Sequence, residues 1–162
     1  MESNATRLWK KLSREERLAA ARHFFDQPPA ELLGQALAAL VKARHLRPQV
    51  ARSMPPDEQA RALAAVGDPG EAVAGGLVVA LHIAERRELL KTFLDAAGLP
   101  HEDGLLKDDD AGEEPLGEDA GRKGVEALAR SFPKEQVEVY LNALWLQDPD
   151  RWRVLERSDE WL

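Results

Sequence analysis

Helix-start signals recur along this chain while strand signals are nearly absent, and that asymmetry limits its fold more than any other feature. Leu12-Ser13-Arg14-Glu15-Glu16 reads as a capping box: the Ser13 hydroxyl accepts the Glu16 amide, and Glu16 reaches back to the amide of Ser13. Leu18, Ala21, Phe24 and Phe25 follow on one helical stripe. Pro28-Pro29 stops that helix and starts the next, because proline suits a first helical turn. There Leu33, Ala36, Leu37, Leu40 and Val41 repeat at helical spacing. Pro48 and Pro55-Pro56 punctuate two short helices, the second running from Asp57 to Val66 and closed by Gly67 as a left-handed cap.

Asp68-Pro69-Gly70-Glu71 repeats the start signal, with Asp68 as cap and Pro69 in the first turn. It opens the longest pattern, which predicts one helix over 69–97 with Gly98 as terminator. Its first half is apolar nearly all round (Val73, Leu77, Val78, Val79, Leu81), as in a helix surrounded by others. Gly75-Gly76 costs helix propensity, so close helix contact or a kink is expected there. Pro133 opens an amphipathic helix bearing Val137, Tyr140, Leu141, Leu144 and Trp145, and Asp148-Pro149 starts a further helix through Trp152 and Leu155. The expectation is an all-α fold: an irregular multi-helix bundle of helix pairs around a long central helix.

The chain has 162 residues, about one domain, and 44% of them are apolar against 31% charged, an ordinary globular balance. It contains no cysteine, which removes disulfides, thiol catalysis and thiolate metal sites, and fits a cytoplasmic location. Met1 to Lys11 is polar and lacks the apolar stretch of a signal peptide. The most apolar run, Ala72 to Ala84, is shorter than the about 20 residues a membrane span needs.

The net charge of −7 is unevenly distributed. Through Val66 the chain carries 11 Lys/Arg against 7 Asp/Glu, a balance of +4; from Gly67 onward the counts are 11 and 22, a balance of −11. Between His101 and Gly121, nine acidic residues face only Lys107, with four glycines and Pro115 among them. This composition predicts a mobile acidic loop at 102–121 and a subdomain boundary within it, leaving 122–162 as a C-terminal helical hairpin. Otherwise 1–162 reads as a single helical domain.

Candidate chemistry is sparse. His82 and Glu85 stand at i and i+3, but a carboxylate-bridged metal bundle needs Glu-x-x-His on each of two helices, and here the order is reversed and occurs once. His101-Glu102-Asp103 gathers three ligand types ahead of the acidic run. A calcium loop beginning at Asp108 would need glycine at its sixth position, where Glu113 stands. No serine sits in a Gly-x-Ser-x-Gly elbow, and no glycine-rich phosphate loop is present. No metal, cofactor or catalytic residue is therefore assigned.

The basic segment Lys42 to Arg61 stands apart, with Lys42, Arg44, Arg47 and Arg52 between proline turns. A helix-turn-helix reading would place one of its short helices in a DNA major groove. Overall acidity and the stiff Pro55-Pro56 connection disfavour nucleic acid, and a basic face meeting an acidic protein fits better. Trp161, second from the end, either plugs the fold or is offered to a partner, since tryptophan is prominent at interface hot spots. Lys42, Arg44, Arg47, Arg52 and Trp161 are the candidate partner-binding residues. The leading reading is a non-enzymatic, cytoplasmic protein–protein interaction or regulatory adaptor domain, binding another protein or a second copy of itself and no membrane. The alternative is a small enzyme or metal-binding protein with a site assembled from dispersed residues such as His82, Glu85 and His101. A helix-turn-helix-like DNA binder comes third.

Overall fold

The computed structural model of the chain describes residues 1, 4–107 and 114–162. Among the described residues the fold is all-α, with nine α-helices, one 3-10 helix and a single pair of two-residue strands. The residues group into two compact units, Glu2–Glu85 and Arg86–Leu162. No helix among them is long and apolar enough to cross a membrane.

The N-terminal unit contains α1 (Ala5–Lys11), α2 (Arg14–Asp26), α3 (Ala30–Arg44), α4 (Pro48–Ser53), α5 (Pro56–Ala64) and α6 (Glu71–Glu85). The capping box of α2 forms in both directions: Ser13 Oγ accepts the Glu16 amide at 3.1 Å, and Glu16 Oε2 accepts the Ser13 amide at 3.3 Å. α2 packs extensively on α5 and α6, and α1 packs on α6. Trp9, Phe24, Leu63, Leu77 and Leu81 are almost wholly buried, each stabilising the unit by about 1.5–3 kcal/mol relative to exposure. The Trp9 indole N–H, its one polar group, donates to the Val66 carbonyl at 2.8 Å. Of the two outcomes expected at Gly75-Gly76, close contact is found. A Cβ at Gly76 would lie 2.6 Å from Leu32 Cδ1, so α3 seats a leucine directly on the α6 backbone.

Two caps differ from the sequence reading. α5 ends at Ala64, with Ala65 at φ −82°, and Gly67 is not left-handed; Val66 N–H closes the turn onto the Leu63 carbonyl instead. The left-handed glycine is Gly70, at φ 91°, in a turn where Asp68 accepts the Gly70 amide at 3.1 Å. α6 then begins at Glu71, whose carboxylate does not turn back to its own helix. It accepts the amides of Ala5 at 2.6 Å and Thr6 at 3.3 Å, satisfying first-turn donors of α1.

The C-terminal unit contains α7 (Arg87–Ala96), β1 (His101–Glu102), β2 (Leu105–Leu106), α8 (Glu118–Ser131), α9 (Lys134–Gln147) and a 3-10 helix, Arg153–Glu160. The single helix predicted over 69–97 is therefore two, α6 and α7, because Arg86 adopts φ −131° and ψ 31° and leaves the helical path. Its carbonyl then accepts the amides of Leu89 and Leu90, starting the new helix. Gly98 does terminate α7, at φ 71°. The helix predicted from Asp148-Pro149 is a turn followed by the 3-10 helix, with Asp148 accepting the Arg151 amide at 3.0 Å.

The acidic stretch is more ordered at both ends than a loop over 102–121 implies. β1 and β2 pair antiparallel, with His101 opposite Leu106, and α8 already begins at Glu118; residues 108–113 of the stretch lie outside the described residues. Asp103 holds the hairpin to α7, since Arg87 donates to its carbonyl at 3.0 Å and its carboxylate lies 3.3 Å from Lys91 Nζ. Hydrogen bonds to Glu88 first, and to Asp103 next, raise the pKa of Lys91. The core of the unit gathers Leu90, Phe93, Leu128, Tyr140, Leu141 and Trp152. Phe93 lies edge-on to Tyr140 at 5.4 Å and occupies the space a side chain at Gly124 would need.

Candidate protein-interaction surface

The four cations singled out by the sequence lie along one continuous piece of the N-terminal unit. Lys42 and Arg44 occupy the last turn of α3, Arg47 is the N-cap of α4, and Arg52 sits in the last turn of α4. The connection between the helices is fixed by His45, which takes the left-handed conformation at φ 52°. Leu46 N–H then reaches back to the Val41 carbonyl at 3.1 Å, closing α3 as a Schellman-type cap does. Three of the cations, Lys42, Arg44 and Arg52, therefore stand at a helix C-terminus, where the backbone dipole favours positive charge. All four are exposed.

Several cations elsewhere in the molecule are neutralised in ion pairs. Arg22 and Arg61 share Asp57, Arg122 pairs with Asp119, and Arg157 joins Glu118 and Glu160. The hydrogen bond from Arg157 to Glu160 lowers the carboxyl's pKa and raises that of the guanidinium. No acidic residue occurs between Glu31 and Asp57, and none of Lys42, Arg44, Arg47 and Arg52 has an ion-pair partner among the described residues.

The helix leading into the basic segment is also more apolar than its packing requires. Only Ala36 and Leu40 of α3 are buried. Leu33, Leu37 and Val41, at i, i+4 and i+8, form a ridge that is only half-buried. α3 touches α4, α5 and α6 sparsely beside the broad contact of α2 with α5 and α6. On α4, Val50 is 47% exposed between Arg47 and Arg52. Sequence reading placed Leu33, Leu37 and Val41 on one apolar face without finding that the face is wider than the core beneath it. The signal lay in the arc they cover, which extends well beyond Ala36 and Leu40.

The remaining candidates sit elsewhere. Trp161 belongs to the C-terminal unit, where it is half-buried against that unit's core with the Arg157 guanidinium 6.0 Å from its ring. His82 is buried in α6, with Nδ1 2.7 Å from the Val78 carbonyl. His101 braces the hairpin: its Nδ1 accepts the Gly104 amide at 3.0 Å, so Nε2 carries the proton and donates to Asp95 at 2.6 Å. Glu85 stands at the rim of an open trough of about 540 Å³ in the N-terminal unit, near Glu15, His23 and Asp26. Among the described residues no three His, Asp or Glu side chains converge as a metal site requires. As for helix-turn-helix geometry, α4 has six residues, and α5 exposes Glu58 at its start, which would repel phosphate. Comparison with protein families, with curated proteins and with solved structures finds no match for this chain.

Proposed function

We propose that this chain is a non-enzymatic, cytoplasmic interaction domain of adaptor or regulatory type that engages another protein through the α3–α4 surface. The observation that carries the reading is a basic segment, none of whose four cations has an ion-pair partner among the described residues, beginning with Arg44 at the end of an apolar ridge that its own fold half covers. Exposed cations in a stretch without acidic residues repel one another, so an acidic partner gains from pairing with them. Isolated exposed apolar residues are ordinary, whereas a ridge that continues into a charged rim has the layout of an interface.

A photo-crosslinking amino acid placed at Val50 tests this in the cells that make the protein. A discrete adduct with a second protein is expected, lost when Arg44, Arg47 and Arg52 are changed together to glutamate. The proposal fails if no adduct forms, or if adducts form equally well in the charge-reversed variant.

A further inference from the structure

We infer that the occupant of the α3–α4 surface is an acidic amphipathic helix of another protein. The inference rests on the interaction reading above and adds the chemistry and shape of the partner. Leu33, Leu37 and Val41 follow the i±4n spacing of the ridges by which helices pack together. From Leu33 to Val41 the ridge rises about 12 Å at 1.5 Å per residue, matching roughly two turns of a partner helix. Arg44, three residues past Val41, continues the same face and converts it from apolar to cationic. α4, packed beside α3, adds Arg47 and the exposed Val50, while Arg52, two residues past Val50, turns to the other flank of α4.

A helix that satisfies both parts must present apolar side chains at i, i+3, i+4 and i+7 to the ridge. Its flanking positions must be Asp or Glu, to reach the cations. Other anionic partners satisfy only one part. A nucleic-acid backbone would meet the arginines and leave the leucines and Val50 in water. An anionic lipid surface would meet the charges, but the surface offers no aromatic or other bulky insertion beside Val50, the one large apolar side chain that stands well clear of it.

Fluorescence anisotropy of the full chain decides between these. The probes are a labelled peptide with leucines at i, i+3, i+4 and i+7 and glutamates elsewhere, a scrambled peptide of identical composition, duplex DNA, and vesicles of mixed phosphatidylserine and phosphatidylcholine. The patterned peptide is expected to bind at least about tenfold more tightly than the scrambled one, the difference one well-placed apolar anchor makes. Arg47→Glu should weaken it by about tenfold at low salt and by less as salt screens the charges. Val50→Asp should narrow the gap between patterned and scrambled peptides, with the helical circular dichroism of the variant unchanged.

Equal binding of the two peptides overturns the inference, as does preferential binding of DNA or vesicles. Self-association of the free chain that Arg47→Glu abolishes also overturns it, because the surface would then belong to a second copy. If the Val50 cross-link to a partner persists while the two peptides bind alike, the interaction reading stands and only the helical occupant falls. If the cross-link is absent as well, both fall.

Discussion

Tyr140 is the chain's one tyrosine, so its ionisation can be followed without interference from another phenol. Burial pushes its pKa well above the ordinary value of about 10. A folded-state pKa raised in this way contributes stability that is fully present below the unfolded-state value and is lost as pH rises past it. Tyrosinate absorbance should therefore appear only as the C-terminal unit loses its near-ultraviolet circular dichroism, above about pH 10. Ionisation at the ordinary phenol pKa with the fold intact would contradict that burial. Glu71 offers a second test at this scale. Its carboxylate accepts two amides at the start of α1, so Glu71→Ala should cost about 1–2 kcal/mol in urea unfolding, as lost helix caps do. Glu71→Gln, which keeps an acceptor oxygen, should recover part of the loss; an Ala variant as stable as the parent would show that the contact contributes nothing. The two capping acids also mark where sequence reading works. Ser13 and Glu16 are three residues apart, and their pairing could be read directly. Glu71 lies 66 residues from Ala5, and its use as a cap for another helix could not.

At the scale of elements, the glycines that admit a neighbouring side chain make contrasting predictions. A Cβ at Gly124 would lie 2.6 Å from the ring of fully buried Phe93, which is enclosed by Tyr140 and Trp152 and has nowhere to turn. Gly124→Ala should cost about 1–3 kcal/mol, the usual range for overpacking. At Gly76 the obstructing atom is the end of the half-buried Leu32 side chain, so Gly76→Ala should cost distinctly less in the same thermal melts. Equal losses would show that α3 holds Leu32 as rigidly as the C-terminal core holds Phe93. The existence and type of most helices were legible because their starts carry local marks, the Ser13 capping box of α2 and the prolines at the starts of α3, α4, α5 and α9. The break at Arg86 was not. Ala84-Glu85-Arg86-Arg87-Glu88 contains no proline or glycine, and each residue is a good helix former, so tertiary context overrides propensity there. The hairpin at His101–Leu106 escaped notice for a related reason. It is too short for alternation to register, and its turn uses Asp103 and Gly104, both at positive φ, within an acidic run that reads as solvated.

Across the whole molecule, the imbalance of charge was visible in the sequence, and so was the position of the cations that make up the candidate surface. What sequence could not supply was coverage. Leu33, Leu37 and Val41 have the spacing of core residues, and only the sparse packing of α3 leaves them partly accessible beside unpaired Arg44. The central claim, that this ridge and its basic end form one docking surface, is tested most directly by amide chemical-shift mapping of the full chain during titration with the patterned acidic peptide. The account predicts perturbations concentrated at Leu33, Leu37 and the stretch from Val41 to Arg52, with saturation. Perturbations centred on α8 or α9, or spread evenly over the exposed cations of the chain, would contradict it.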